Sequence, residues 1–430
     1  MPRYRTTRAG SAARPVRALL FMGLAAFVTG CESLLEVEPE PHTVPGDELD
    51  KPTSLQGRMI GAEANFFLAY DMAIVFGGLY TDEVADPGNA IDERRVTEDN
   101  GLIGSADENE EGIDGLWTPM QRAAFTSNAA QAAILSGTYG DQIPDPAESP
   151  EYARMSLFAG YSKLVLGELF CSTAFNGEGP EFSSLETYAL AEAHFTAAID
   201  AANAEDDIRY AALVARARAR LHQGDTQGAL ADGQAVPAGW LYLADVYSNN
   251  SQVEENDIWN MITDSQRYTV APDFRDLTID DTGEDDPRID VFRNPDDLFA
   301  IDGATPLYQA RKYDHSTAPV RLASYYEAQY IIAEIRAAEG DLPAAVAIIN
   351  AVRADHGITQ EYPGGTQTEV LRKVLDEKSR TLFLEGQRMG DLRRFLASYG
   401  IDEFPVSPTP ELAGTCMPLP SAERENNPGI

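Results

Sequence analysis

Apolar residues recur at three- and four-residue spacing along most of this chain, the period of a helix with one buried face. In Ser54–Ala73, SLQGRMIGAEANFFLAYDMA, the stripe is Leu55, Met59, Ala62, Phe66 and Ala69. Glu151–Phe170, Leu185–Ala202 and Ala211–Gln223 keep the same period. The spacing therefore predicts a mainly α protein. Two segments repeat a pattern at an offset of 116 residues, ARARARLHQGDTQGALADGQAV from Ala215 and IIAEIRAAEGDLPAAVAIINAV from Ile331. In each, a glycine (Gly224, Gly340) can close one helix in a left-handed conformation, and the aspartate after it (Asp225, Asp341) can cap the next. Pro343 falls in a first turn, where a missing N–H costs little. Ala345, Ile348, Ile349 and Val352 then follow at helical spacing, and Gly357 offers a stop. Antiparallel helix pairs with small residues at the contact are the tetratricopeptide pattern, although ordinary helical hairpins that resemble one another are the rival reading.

Two stretches break the period. Residues 81–120 contain DEVADPGNAIDERR, and residues 245–319 contain SNNSQVEEND, DDTGEDDPRID and NPDDLFAIDG. Long loops on a helical scaffold are where binding residues concentrate.

The N-terminus has a different character. Residues 1–30 hold Arg3, Arg5, Arg8, Arg14 and Arg17, no acid, and the eleven-residue apolar run Ala18–Val28. That run is too short to cross a bilayer of about 30 Å as a helix, and the pattern predicts a signal peptide over 1–30. Val28-Thr29-Gly30-Cys31 resembles the lipobox of bacterial lipoproteins, which implies cleavage before Cys31 and acylation, palmitate included, of that cysteine. An ordinary signal peptide ending near a cysteine is the alternative. Residues 31–50, rich in proline and acid, read as a tether to a single domain over 51–430.

Charge sharpens this picture. The chain carries 33 Lys+Arg against 69 Asp+Glu, and loss of the signal leaves 28 against 69. Such a surface repels phosphate backbones and excludes nucleic acid as a natural partner. It equally disfavours a basic membrane face, so a membrane link falls to the lipid. Removal of Cys31 by lipidation leaves Cys171 and Cys416 as an even pair in an oxidising compartment. That favours a disulfide closing a loop of about 245 residues.

Five further segments, in order, resemble the SusD/RagB-like outer-membrane nutrient-binding lipoproteins. These are SLLEVEPEPHTVPGDEL after Cys31, FGGLYTDEV (Phe76–Val84), APVRLASYYEAQYIIAEIRAAEGDLPAAVAIINAVRADHGI (Ala318–Ile358), LDEKSRTLFLEGQRMGDLRRF (Leu375–Phe395) and PLPSAERENNPGI (Pro418–Ile430). The chain is short for that family, and Tyr161–Gly177 carries a cysteine where a more aromatic segment is expected. The resemblance implies tetratricopeptide-like helical hairpins with a loop-rich binding face. It also implies a cell-surface lipoprotein of the outer membrane that binds an oligosaccharide, or a peptide, above a SusC-like TonB-dependent transporter.

No catalytic constellation stands out. Glu377, Arg380, Glu385, Arg388, Asp391, Arg393 and Arg394 lie at spacings that pair around helical turns and read as salt-bridged helix faces. DDTGEDD (Asp280–Asp286) lacks the alternation of a helix-loop-helix calcium site and reads as a solvated acidic loop. The five histidines show no zinc spacing, and no nucleotide or nucleophile-elbow glycine pattern occurs, so no metal or cofactor is expected. For sugar capture, Tyr80, Asp82, Asn89, Arg94, Arg95 and Trp117 in the first loop region combine aromatic faces with hydrogen-bonding groups. Asp286, Arg288, Tyr308, Lys312 and Tyr313 do so in the second. The expectation is a non-enzymatic binder; a tetratricopeptide-type scaffold for envelope proteins and a surface glycoside hydrolase are the alternatives.

Overall fold

Helical periodicity becomes helix almost throughout. The computed structural model describes residues 46–49, 51–87, 113–177, 179–201, 203–245, 255–280, 282–293, 298–405 and 415–430. The expected signal peptide and Cys31 lie outside the described residues, as do most of the tether and Asn89, Arg94 and Arg95. The chain divides into residues 1–51 and a unit spanning Pro52–Ile430. Of the first unit, Gly46–Leu49 forms a single helical turn; the rest of the description concerns the second.

Helix α1 (Leu55–Tyr80) is long and apolar enough to cross a membrane by composition. Its apolar positions are core, however: Phe66, Phe67, Tyr70, Ile74 and Val75 are buried. It packs on α2 (Ile113–Leu135) and α3 (Pro150–Leu169). Helix α3 is buried on nearly every face, Lys163 and Glu168 included, where its period predicts a single buried face, because other helices surround it. Ser149 caps it, accepting the Tyr152 N–H, and Pro150 occupies its first turn. Around α3 lie α4 (Ser184–Asp200), opened by a reciprocal Ser183–Glu186 capping box, and α5 (Asp206–Gln223).

The two sequence repeats become two helical hairpins, α5 with α6 (Thr226–Gln234) and α7 (Tyr325–Ala338) with α8 (Leu342–Asp355). Gly224 and Gly340 end the first helix of each pair with φ of 81° and 85°. Asp225 and Asp341 cap the second, accepting the N–H groups of Gly228 and Ala344. Those φ values are left-handed, which explains glycine at both positions. The tetratricopeptide-like expectation is borne out. Helices α9 (Gln367–Thr381), α10 (Arg388–Tyr399) and α11 (Ser421–Asn426) complete the chain.

Residues 245–319 are largely irregular where described. Short antiparallel pairs tie this region and its flanks to the helices, among them Val84↔Val270 near the end of α1 and Leu241–Ala244 against Val320–Ser324 before α7. The first loop region ends earlier than its composition suggests. Helix α2 starts at Ile113 and runs through Pro119, so Trp117 and Met120 are helical.

Ion pairs between helices form the second feature of the core. Arg218 on α5 is 1% exposed, with Nε 3.1 Å from Glu168 on α3 and Nη1 3.1 Å from Glu327 on α7. Burial pushes the carboxyls of Glu168 and Glu327 up, to about 6 and about 7, while Arg218 opposes the rise. Arg394 on α10 grips Glu334 on α7 through two bonds of 2.7 and 2.8 Å and also reaches Asp391, which receives Lys378 of α9 at 2.7 Å. Arg393 donates to the carbonyls of Gly167, Glu168 and Phe170, acceptors that the end of α3 leaves unpaired.

Removal of one partner from such a pair strands a buried charge and costs about 3–5 kcal/mol, against about 0–1 kcal/mol for an exposed pair. Arg394→Met should therefore lower unfolding free energy by several kcal/mol in urea titrations. Arg336→Ala, which loses only the exposed bond to Glu339, should be close to neutral. Equal losses would overturn the structural ranking.

Candidate functional site

Helix α2 turns two adjacent stripes toward an open cavity of about 540 Å³. Trp117, Gln121 and Phe125, four residues apart, form one; Thr118 and Arg122 form the other. The opposite wall consists of Asn176 and Gly177 from the loop after α3 and Glu423 from α11. Asn176 has φ 65°, a left-handed conformation that asparagine tolerates better than most residues.

Disulfide and hydrogen bonds join the loop to the C-terminal segment. Cys171 and Cys416 are bonded, with Cα atoms 5.1 Å apart. The Cys171 N–H donates to Met417 O and the Met417 N–H to Leu169 O, both at 2.8 Å. Trp117 is only 5% exposed and meets Phe170 edge-on at 4.9 Å between centroids, so the floor of the cavity is anchored in the core. Gln121 Nε2 donates to Ala174 O at 2.6 Å, tying α2 to the same loop. Phe125, by contrast, is 57% exposed. Glu423 accepts from Asn427 Nδ2 at 2.8 Å, which orients its carboxylate. Aromatic surface combined with an amide, a guanidinium and a carboxylate can stack on the apolar face of a sugar ring and bond its hydroxyls.

Of the residues proposed from sequence, Trp117 reaches this cavity. Tyr80 lies beside the disulfide, donating to Cys416 O at 3.1 Å, and burial pushes its phenol up to about 12, Arg393 opposing. Asp82 is clasped by Arg388 through bonds of 2.5 and 2.8 Å and borders a smaller charged cavity of about 250 Å³. The second group is drawn into the protein. Asp286 receives Arg288 at 2.6 Å and Arg380 at 3.2 Å; burial opposes ionisation, but these bonds prevail and hold its carboxyl down at about 2. Arg288 also bonds Glu377 at 2.5 Å. Tyr308 lies under the guanidinium of Arg275, 4.2 Å away. Lys312 donates to Phe383 O and Glu385, each at 2.6 Å, and the Tyr313 hydroxyl donates to Leu384 O at 3.0 Å. Asp280, in the stretch expected to be a solvated acidic loop, is bonded by Arg353 and Lys373. That loop is pinned to α8 and α9 because those helices carry the complementary cations. Among the described residues no cluster of acids, histidines and cysteines is arranged to hold a metal ion.

Gln121, Arg122, Phe125, Asn176 and Glu423 were missed. The first three follow Trp117 at helical spacing and could be found once α2 is known to begin before the tryptophan. The last two have no local signal; they come together through the disulfide.

Comparison with known proteins follows the same lines. Among solved structures, a SusD superfamily protein of Bacteroides vulgatus ATCC 8482 superposes with a TM-score of 0.66 at 14% identity, covering 88% of this chain and 99% of that one. Surface glycan-binding protein A from Bacteroides uniformis gives 0.63 at 15% identity, over 88% and 98%. A SusD-like carbohydrate binding protein of B. vulgatus ATCC 8482 gives 0.60 at 17%, over 80% and 83%. The fold is therefore similar to that of SusD-like proteins. In sequence, residues 301–429 match the SusD family, and the SusD/RagB resemblance is borne out. No curated protein matches.

The turn after α9 joins these elements. Leu384, with φ 54°, has its N–H bonded to Glu83 at 2.9 Å, while Tyr70 donates to Glu385 O at 2.8 Å. Burial pushes the Glu83 carboxyl from 4.5 up to about 7, against the pull of the Leu384 N–H. A carboxyl raised on folding favours the folded state at low pH and loses that contribution as pH climbs from the unfolded to the folded value. Glu83→Gln should gain stability relative to wild type between pH 4.5 and 7 and hold a constant difference above. A difference independent of pH over that window, measured by denaturant titration, would contradict the assignment. Separately, Cys171→Ala with Cys416→Ala should cost about 2–5 kcal/mol, read as a lowered Tm that reductant reproduces in the parent.

Proposed function

We propose that this protein is a non-enzymatic, lipid-anchored surface binder that captures an oligosaccharide in the α2 cavity for a SusC-like TonB-dependent outer-membrane transporter. The observation that carries the proposal is the cavity itself, with Trp117 and Phe125 beside Gln121, Arg122, Asn176 and Glu423 on a SusD-like fold. Two solved neighbours of that fold are described as glycan- or carbohydrate-binding, which supports the ligand class. Glycoside hydrolysis usually needs two carboxyl groups flanking one bond. Among the described residues lining this cavity Glu423 is the only carboxylate, which favours capture over cleavage. Anchorage through Cys31 suits a chain whose acidity would repel an anionic membrane face.

Glycan-array screening followed by calorimetry tests the ligand class. Phe125→Ala should weaken the best glycan by about thirtyfold, the scale of losing a well-packed aromatic contact, without moving Tm because the ring is exposed. Release of reducing sugar would overturn the non-enzymatic reading. Pull-down from solubilised outer membrane should recover a β-barrel transporter; recovery of envelope-assembly proteins in its place would favour the scaffold alternative. Cys31→Ser should move the protein from the membrane to the soluble fraction.

A further inference from the structure

Cations are scarce in this chain, and the fold engages nearly all those it describes. Several arginines at the surface still have a carboxylate: Arg311 meets Asp290, half-buried Arg336 meets Glu339, and Arg372 meets Glu403. Arg122 is the exception within the cavity. It is exposed, and no described carboxylate lies within ion-pair distance of it, although Glu423 shares the cavity. Lys163, Arg209, Arg275, Arg393 and Arg424 also lack an ion pair, but none of them lines the cavity.

Position gives this arginine its meaning. Arg122 stands three residues before Phe125 and one turn after Thr118, so its side chain neighbours the exposed ring along the helix. Such neighbours have Cβ atoms about 5–6 Å apart, close to the width of one sugar ring. A pyranose stacked on Phe125 would therefore present a ring substituent to the guanidinium. Hydroxyls could accept from Arg122, yet an arginine fork is best matched by a two-oxygen anion. The surrounding charge sharpens the selection. With 69 acidic residues against 33 basic, the protein repels anions everywhere that it does not present an uncompensated cation. Glu423, already oriented by Asn427, can take ligand hydroxyls on the opposite wall.

We infer that the ligand is an anionic glycan, carrying a carboxylate or sulfate group on a sugar ring, and that Arg122 selects it. This inference rests on the glycan-binding reading of the cavity.

Calorimetry with three oligosaccharides of equal length provides the test: an oligogalacturonate, a sulfated galactan fragment that carries no uronate and a neutral malto-oligosaccharide. The full-length protein should bind one acidic class at least about tenfold tighter than the neutral one, the scale of one charge-assisted hydrogen-bond pair. The first two arms decide between carboxylate and sulfate. Arg122→Gln should bring the acidic-to-neutral ratio near one and flatten the salt dependence of acidic binding. Arg336→Gln, the same change of charge far along the chain, should leave both untouched. A wild-type preference for the neutral glycan, or a ratio unchanged in Arg122→Gln, overturns the inference. If only neutral glycan binds and Phe125→Ala abolishes it, the glycan site stands and the anionic selection fails. Failure of all three ligands, with a full glycan array also blank, removes the underlying reading.

Discussion

Charge pairing across the helix interfaces is the constraint on which this structure depends. The Arg218–Glu168–Glu327 contact places one guanidinium among α3, α5 and α7, with all three side chains almost fully buried. Replacing such a group with apolar residues of similar volume can be neutral or even stabilising, so its importance is not its net free energy. It matters for register. An apolar helix face can slide by a turn and still bury comparable area; a buried carboxylate that slides away from its guanidinium cannot. Each arginine thus selects one relative placement of the helices that meet on it.

The cavity inherits that placement. Arg393 holds the carbonyl end of α3, the loop after α3 supplies Asn176 and Gly177, and the disulfide from the same loop fixes the segment bearing Glu423. On the other wall, Trp117 sits edge-on to Phe170, the residue directly after α3. Both walls are therefore referred to the end of one buried helix. A cavity built this way is held by the fold itself, which would limit the ordering cost of binding a ligand there.

Much of this was legible in the sequence, and the boundary between legible and hidden has a physical origin. Local signals survived well: the Gly-Asp turns at 224–225 and 340–341 act as helix stop and cap, and the charged run from Glu377 to Arg394 forms ion pairs between helices. Signals that need tertiary context failed. Asp286, Arg288, Lys312 and Tyr313 have the chemistry of sugar ligands, but sequence cannot show that Arg380, Glu377, Glu385 and the Leu384 carbonyl lie beside them. Glu423 and Asn176, some 250 residues apart in the chain, line one cavity because the disulfide and the hydrogen bonds of Met417 join their segments. The acidic, glycine-bearing run before Ile113 hid the start of α2, and with it Gln121, Arg122 and Phe125.

The internal pairing also recasts the meaning of the charge excess. Arginine and lysine are drawn into the core and its margins: Arg218, Arg353 and Arg394 are all buried. Each buried pair removes one cation and one anion from the surface, so with cations in the minority the exterior is more one-sided than the composition suggests. Screening at about 0.1 M salt limits the resulting field to about 10 Å, which makes it a property of surfaces rather than of the whole particle. Within that distance, a single uncompensated arginine is the strongest local contrast the surface can offer, and Arg122 places that contrast inside a cavity. A chain this acidic can discriminate between ligands by charge with very few residues, because its net charge opposes an anion wherever no uncompensated cation stands.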